Sequence, residues 1–231
     1  MSCPAAAPII RGSLLPFPKL SALAQAVPPP VLAAKAWALV DHATGQALAE
    51  KDADARIEPA SLTKLMTAYI TFAKLKEGSL KPDQVVPVST KAWRMEGSRM
   101  FIEPNKPVTA DELIRGVIVQ SGNDACVALA ETIAGSEEAF AALMNREAQR
   151  LGMTNTNFTN STGLPDPQLY TTARDLARLA SAIVRDFPDY YSLYSLKELT
   201  YNGIKQPNRN RLLYMDPSVD GMKTGHTSSA G

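Results

Sequence analysis

The sequence has 231 residues, of which 45% are hydrophobic and 20% charged, a composition typical of a globular chain rather than a disordered one. Lys and Arg number 24 and Asp and Glu 23, so the formal net charge of +1 gives no electrostatic reason to expect a nucleic-acid partner. The two cysteines and two histidines are too few and too scattered to favour a disulfide scaffold or a metal site. We therefore expect metal-free chemistry.

Residues 1–30 form an Ala- and Pro-rich segment ahead of the first predicted strand. Two overlapping small-x-small patterns within residues 22–26 fit the cleavage site of a signal peptide. Charged residues and prolines interrupt the apolar run that such a leader requires, so a secretory leader and a disordered arm both stay open. No later stretch approaches the roughly 20 apolar residues of a transmembrane helix, so membrane attachment is not visible in the sequence.

The chain then continues with a predicted hairpin and a predicted helix. Residues 36–40 and 46–50 read as antiparallel strands on either side of a turn at 43–45. Between residues 60 and 78, apolar side chains recur at the i, i+3, i+4, i+7 spacing of one helix face, and Gly78 ends the pattern.

The centre of the chain is predicted to be helical. Its helices begin at a capping box in residues 109–112, after a break at 120–123, at Ser136 and near Thr172, and the last one ends at Pro188. Residues 153–170 form a loop rich in Asn and Pro. Residues 196–204 and 218–224 are predicted to be extended, so strands flank the helices at both ends. This order predicts an α+β fold rather than a regular βαβ alternation.

Ser61 and Lys64 are the first candidates for chemistry. Three residues apart on a helix, they project to the same side, and the lysine amine can reach the serine hydroxyl. The helix start and partial burial would both disfavour the ammonium form, so Lys64 could act as a base that makes Ser61 nucleophilic. Alone, the pair is also explained by Ser61 as an N-cap and by chance.

Two further short motifs follow. Ser121-Gly122-Asn123 presents a hydroxyl and a carboxamide in the break between two helical patterns, although either residue could simply cap the next helix. Lys223-Thr224-Gly225 closes an extended stretch, where its ammonium and hydroxyl could bind a carboxylate while glycine lets a substrate backbone approach. A lysine near a turn is usually just solvated, so each motif is weak by itself.

Taken together, these motifs occur in the order that marks penicillin-binding proteins and class A β-lactamases. The chain resembles the low-molecular-mass penicillin-binding proteins that act as serine-type D-alanyl-D-alanine carboxypeptidases. The likeness extends from Ala36 to Gly231 and includes PASLTKLMT, LIRGVIVQSGNDACVALAE, YTTARDLARLA, PNRNRLLY and VDGMKTGHTSSAG.

The resemblance implies a β-lactamase/transpeptidase-like fold, in which a five-stranded antiparallel sheet is flanked by a helical cluster with the active site between them. It implies that Ser61 is the acyl-ester nucleophile, that Lys64 is its general base, and that Ser121 passes a proton to the leaving D-alanine. The substrate-binding residues that it implies are Asn123, Lys223, Thr224, Gly225 and His226. Of these, Asn123 would bond the substrate amide, the lysine and threonine would hold the terminal carboxylate, and the N–H groups of Ser61 and His226 would form the oxyanion hole.

The implied partners are the stem peptide of peptidoglycan and β-lactam antibiotics, with no cofactor. The implied location is the periplasm or the outer face of the bacterial inner membrane. A class A β-lactamase would be expected to carry Ser-Asp-Asn and a glutamate in the downstream loop, but Gly122 occupies the middle position and residues 153–170 contain no glutamate.

A non-catalytic module that binds peptidoglycan or β-lactams is a second alternative. Family members continue beyond Lys-Thr-Gly into further strands of the sheet, an additional arginine and usually a second β-rich domain. We therefore expect residues 34–231 to be a catalytic domain without its last strands, in a C-terminally truncated chain that folds poorly or hydrolyses weakly.

Overall fold

The structure is a computed structural model that describes residues 28, 29 and 31–227. The leader or disordered arm predicted for residues 1–30 lies outside the described residues, apart from residues 28 and 29. The chain divides into units of residues 1–32 and 33–231, and every helix and strand below belongs to the second unit.

A hairpin opens the second unit, as predicted. Strand β1 spans Trp37–Val40 and pairs antiparallel with β2, Ala47–Lys51, with Trp37 opposite Lys51. The carboxylate of Asp41 accepts hydrogen bonds from the backbone N–H and hydroxyl of Thr44, at 2.7 and 2.6 Å, and so fixes the turn. The hairpin prediction is confirmed.

The predicted helix at residues 60–78 is also confirmed, with a different first turn. Residues Ala60–Thr63 form a 3₁₀ turn that runs directly into helix α1, Lys64–Glu77, and Gly78 ends the helix with a φ of 76°. Both faces of α1 are buried, so this helix is the centre of the hydrophobic core rather than an amphipathic surface helix.

The middle of the chain supplies four helices. Helix α2 spans Thr90–Trp93, α3 spans Ala110–Arg115, α4 spans Asn123–Ala134 and α5 spans Glu137–Arg150. Of these, α4 and α5 pack on α1, while α2 and α3 pack on α4. The capping box is confirmed, since the Thr109 side chain accepts from the N–H of Glu112 while the Glu112 carboxylate accepts from the N–H of Thr109. A π-helical turn, Gly116–Gln120, separates α3 from α4.

The last long helix is α6, Ala173–Asp186, which Thr172 caps at its start. Helix α7, Pro188–Tyr191, and a 3₁₀ turn, Ser192–Ser195, follow it. The ring of Phe72 in α1 stacks on Tyr190 with 5.1 Å between centroids, and this contact anchors the segment on the core. No helix among the described residues is long and apolar enough to cross a bilayer.

Of the two extended segments predicted near the end of the chain, only the first, residues 196–204, contains a strand. Residues 196–204 contain strand β3, Glu198–Tyr201, whose two-residue turn at Asn202 and Gly203 leads into β4, Ile204–Pro207, and then α8, Leu212–Met215. Positive φ angles of 48° and 74° at the turn residues suit a tight hairpin.

The prediction of a strand at residues 218–224 is wrong. Over residues 218–227 the backbone pairs with no strand of the described chain and is held by side chains instead, as where Asn210 Nδ2 donates to Gly221 O at 2.9 Å. The described residues contain two separate two-stranded sheets, β1–β2 and β3–β4, in place of the five-stranded sheet implied by the resemblance. The α+β class is confirmed.

Candidate active site

Ser61 lies at a point where the backbone is tightly constrained. The preceding residue, Ala60, has a φ of 47°, which is uncommon for a residue with a side chain. Gly163 packs against it so closely that an added Cβ would lie 1.8 Å from the Ala60 carbonyl oxygen. The loop that contains Gly163 therefore fixes the position of the 3₁₀ turn carrying Ser61.

Lys64 is the first residue of helix α1 and follows Ser61 by three positions. Its Nζ lies 3.3 Å from Ser61 Oγ and donates to the carbonyl oxygen of Thr162 at 2.6 Å. The residue is only 1% exposed, and burial lowers the pKa of its amine, with a further lowering from the charge of Arg209. A neutral amine that donates to Thr162 keeps a lone pair for the serine proton.

The loop that holds Lys64 is itself bonded on several sides. The carboxylate of Glu137 accepts from both the N–H and the hydroxyl of Ser161, at 3.1 and 2.7 Å. The Thr67 hydroxyl donates to Ser161 O at 2.7 Å, and Asn160 Oδ1 accepts from the N–H of Thr162 at 3.1 Å. These bonds hold the Thr162 carbonyl in place for the lysine.

Ser121 and Asn123 lie where the π-helical turn meets α4. Ser121 has a left-handed φ of 64° and ends the turn. The backbone N–H of Asn123 donates to Ser98 O and its Nδ2 donates to Glu96 O, both at 2.7 Å. With Nδ2 engaged, the side-chain oxygen of Asn123 is the group that can accept a hydrogen bond from a ligand.

Asp124 stabilises the same corner, the junction between the π-helical turn and α4. Its buried carboxylate accepts from three consecutive backbone N–H groups, those of Met100, Phe101 and Ile102, at 3.0, 2.8 and 3.2 Å. Three such bonds compensate for the loss of hydration of a buried charge. The carboxylate thereby ties residues 100–102 to the start of α4.

Lys223 reaches this corner from the far end of the sequence. Its Nζ donates to Ser121 Oγ at 3.0 Å and to the Thr224 carbonyl at 2.7 Å. Burial lowers the pKa of Lys223 to about 7, and the charge of Lys64 lowers it as well. Gly225 follows, and an added Cβ there would lie 3.3 Å from Ser61 N, so the Lys-Thr-Gly backbone passes directly beside the serine.

These groups meet at a cavity of about 870 Å³. Of the residues predicted from the sequence, those that line it are Ser61, Ser121, Thr224, Gly225 and His226. Lys64 and Lys223 contact this group through the two serine hydroxyls. Asn123 lies in the first turn of α4, two residues beyond Ser121.

The structure adds lining residues that the sequence analysis assigned no role: Ser98, Gln120, Pro207, Asn208, Arg209 and Arg211. The only sequence signal for the last four is the run PNRNRLLY, which carried part of the family resemblance. The contacts of Glu96 and Thr162 with the site go through backbone carbonyls, for which the side-chain pattern gives no signal.

The arrangement can activate a serine for acyl transfer. A buried amine with a lowered pKa lies beside the hydroxyl of Ser61, and the hydroxyl of Ser121 on the same cavity accepts a hydrogen bond from a lysine that can bind an anion. Among the described residues no group of three or more His, Cys, Asp or Glu side chains is arranged to hold a metal ion.

Comparisons of the sequence with a family model and with curated proteins agree on one family. The model of peptidase S11, D-alanyl-D-alanine carboxypeptidase, matches residues 23–231. D-alanyl-D-alanine carboxypeptidase DacC of Escherichia coli is 47% identical over 221 residues, which are 93% of this chain and 55% of that protein. The Haemophilus influenzae carboxypeptidase DacA is 46% identical over 209 residues, 89% of this chain and 53% of the relative.

Solved structures show the same likeness. Penicillin binding protein 5 from Haemophilus influenzae matches with a TM-score of 0.86 and 47% identity, covering 89% of this chain and 61% of that one. Penicillin binding protein 6B from Escherichia coli matches with a TM-score of 0.85 and 43% identity, covering 90% and 67%. The chain spans about half the length of the curated relatives that it matches. It belongs to the peptidase S11 family of D-alanyl-D-alanine carboxypeptidases.

Proposed function

We propose that the protein is a serine-type carboxypeptidase that removes the terminal D-alanine from stem pentapeptides of peptidoglycan. The observation that carries the proposal is the position of Lys64 Nζ, buried between Ser61 Oγ and the Thr162 carbonyl. Burial lowers the pKa of this amine and so favours the neutral form that a general base requires.

In the proposed first step, Ser61 Oγ attacks the carbonyl carbon of the penultimate D-alanine while Lys64 takes the hydroxyl proton. The C–N bond then breaks, and the proton passes by way of the Ser121 hydroxyl to the nitrogen of the departing D-alanine. In the second step, a water molecule gives a proton to Lys64 and attacks the acyl ester, which frees Ser61 and the shortened peptide. The proton that Lys64 takes from Ser61 thus leaves on D-alanine, and the proton that it takes from water passes to Ser61 Oγ, so Lys64 is neutral again after each step.

Substrate binding is assigned to Asn123 and to the Lys223-Thr224-Gly225 segment. The terminal carboxylate would bind Lys223 and Thr224, and a bound anion would raise the pKa of that lysine from its value near 7. Asn123 would accept a hydrogen bond from a substrate amide, while Gly225 leaves room for the peptide backbone. The backbone N–H groups of Ser61 and His226 would stabilise the oxyanion.

β-Lactams would acylate the same serine, because their strained amide and carboxylate present the same groups to the same wall. The substrate lies outside the cytoplasmic membrane, so we place the protein in the periplasm or on the outer face of the inner membrane. The two alternatives are a non-catalytic module that binds these ligands without turnover and a β-lactamase of the class A type.

The test is labelling with a fluorescent penicillin, followed by peptide mapping, together with an assay of free D-alanine released from a pentapeptide. We expect the label on Ser61, no label in Ser61→Ala, and normal labelling in Ser79→Ala, which changes an exposed serine beyond α1. An adduct on another residue would refute the assignment. Labelling without D-alanine release would indicate the binding module, and rapid hydrolysis of the penicillin would indicate the β-lactamase.

A further inference from the structure

A second cavity lies between the β1–β2 hairpin and helix α6. Its volume is about 440 Å³, and none of the described residues lines both this cavity and the active-site cavity. Val40, Gly45 and Ala47 of the hairpin form one wall, and α6 with the end of α5 forms the other. The space is large enough for a small organic ligand and is separate from the catalytic residues.

The charged residues that line this cavity are all arginines: Arg150, Arg174, Arg178 and Arg185. Three of them lie at the i, i+4 and i+11 positions of α6 and share one face of that helix, while the fourth is the last residue of α5. Their side chains are 30 to 62% exposed, so a ligand can reach them. No carboxylate of the described chain lines the cavity, so its charged surface is cationic although the net charge of the chain is only +1.

Carboxylates outside the cavity hold these arginines in place. Arg174 Nε pairs with Asp54 at 2.8 Å, and its Nη2 pairs with Glu50 of β2 at 2.9 Å. Arg185 pairs with Asp186 through Nε and Nη2, at 2.7 and 3.0 Å. In both arginines Nη1 has no partner within the part of the chain that the structure describes. Each ion pair therefore fixes a guanidinium group in advance and leaves donors for a second anion, which lowers the entropic cost of binding.

The other two arginines also keep unused donors. Arg150 bonds Glu147 and the Tyr69 hydroxyl through Nε and Nη2, and Arg178 bonds Asp175 and a backbone carbonyl through Nη1. Among the described residues, Nη1 of the first and both Nε and Nη2 of the second have no partner. Four such groups offer more donors than the two oxygens of a carboxylate can use, whereas a phosphoryl group presents three strong acceptor oxygens.

We propose that this cavity is a binding site for a phosphate ester. The phosphoryl group accepts hydrogen bonds from the arginines, whose planar forks match its geometry, and the organic part of the ester lies against Val40, Leu151 and Ala182. Soluble phosphate esters and the glycerophosphate headgroup of a phospholipid share this chemistry. The inference is independent of the proposed catalytic function, because the two cavities have no lining residue in common among those described.

The first test is calorimetric titration of the purified protein with sn-glycerol 3-phosphate and with glycerate, a carboxylate of similar backbone, at constant ionic strength. We expect a Kd of about 1 mM or below for the phosphate ester and binding of glycerate that is about tenfold weaker or more. In Arg185→Gln the affinity for the phosphate ester should fall about tenfold, and Arg185→Lys should restore only part of it. Because the partner of Arg185 is its neighbour Asp186, both variants should keep the wild-type far-UV circular dichroism spectrum.

Arg146→Gln is the matched control, since it removes the same charge from an exposed position of α5 outside the cavity. It should bind the phosphate ester with the wild-type affinity. Arg150→Gln tests the opposite helix of the cavity and should weaken binding as Arg185→Gln does. An equal loss of affinity in Arg146→Gln, equal binding of glycerate, or no binding of the phosphate ester either free or in vesicles would overturn the inference.

Vesicle sedimentation distinguishes the two sources of the phosphate. Vesicles of phosphatidylcholine alone are compared with vesicles that also contain phosphatidylglycerol. Sedimentation that requires phosphatidylglycerol and is lost in Arg185→Gln but kept in Arg146→Gln would support the site and assign it to a lipid headgroup. Binding of sn-glycerol 3-phosphate without sedimentation would support the site and assign it to a soluble ester. Sedimentation that all three proteins share, without binding of the soluble ester, would overturn the inference, because the cavity would then play no part.

Discussion

Lys223 donates a hydrogen bond to the hydroxyl of Ser121, with 3.0 Å between Nζ and Oγ, across 102 positions of the sequence. The same lysine is affected by the charge of Lys64, which lowers its pKa. Protonation of either lysine therefore disfavours protonation of the other. In the proposed mechanism the active form carries one proton on this pair, and it lies on Lys223.

The first prediction is a bell-shaped dependence of acylation on pH. The rate should rise with pH as Lys64 loses its proton and fall as Lys223 does, near its free-enzyme pKa of about 7. Lys223→Arg should move the falling limb upward by about 2 pH units or more, because a guanidinium keeps its proton. The measurement is kcat/KM for penicillin acylation from about pH 5 to about pH 10. A falling limb that stays in place in Lys223→Arg would assign it to another group.

The second prediction concerns stability and pH. The pKa of Lys223 falls from an ordinary 10.5 to about 7 in the folded protein, so between these values the unfolded chain binds more protons than the folded one. The free energy of unfolding should therefore rise with pH across this window and be lost as pH falls through it. Because the residue is half-buried, we expect a gain of only about 1 kcal/mol between about pH 7 and pH 9.5.

Urea unfolding of the wild-type protein and Lys223→Met at both pH values measures this gain. The methionine variant has no titrating group at this position, so its free energy of unfolding should change less with pH than that of the wild type. The comparison removes the contribution of every other titrating group that the two proteins share. Identical changes in both proteins would mean that Lys223 keeps an ordinary pKa in the fold.

The third prediction concerns Gly163. In Gly163→Ala the new Cβ would lie 1.8 Å from the Ala60 carbonyl oxygen, so the loop and the turn that carries Ser61 must separate. Separation moves the Thr162 carbonyl away from Lys64, so penicillin acylation should fall by about 100-fold or more. A left-handed φ costs an alanine roughly 1 to 2 kcal/mol in addition.

Gly135→Ala isolates the conformational cost from the clash. Gly135 has the same φ of 83° as Gly163, but an added Cβ there meets nothing within 4 Å. This variant should lose about 1 kcal/mol in the free energy of unfolding and acylate at close to the wild-type rate. Equal acylation by the two variants would show that the close packing on Ala60 does not position the serine.

Local signals in the sequence predict much of this fold. The capping box at Thr109 and Glu112 and the glycines that end α1 and α4 act within one helical turn, and the structure has them where the pattern places them. The strand predicted at residues 218–224 fails for the opposite reason. Extended residues become a strand only if another strand edge is available, and a single segment does not reveal its neighbours.

The candidate site likewise contains residues that local motifs predict and contacts that they do not. The motifs single out Ser61, Lys64 and Lys223 because side-chain type and spacing carry the signal. The carbonyl that accepts the hydrogen bond of Lys64 Nζ belongs to Thr162, 98 positions away in the sequence. Any residue type can supply a backbone carbonyl. Neither this contact nor the packing of Gly163 on Ala60 leaves a pattern that a single sequence shows.

The fourth prediction concerns Asp124, which the motif analysis passed over although it follows Asn123 directly. In Asp124→Asn the amide nitrogen would face at least one of the three N–H groups at residues 100–102 that now donate to the carboxylate. Two buried donors would then oppose each other without an acceptor, so we expect the free energy of unfolding to fall by about 2 to 4 kcal/mol.

Asp111→Asn is the control, because the Asp111 carboxylate pairs with Arg115 on the surface of α3 at 2.7 Å and should contribute less than about 1 kcal/mol. Urea unfolding measures both variants, and penicillin acylation below the unfolding transition reports on Ser121 and Asn123. If Asp124 positions this corner, the folded Asp124→Asn protein should also acylate more slowly than Asp111→Asn. A large loss of stability with an unchanged acylation rate would limit Asp124 to the stability of the fold.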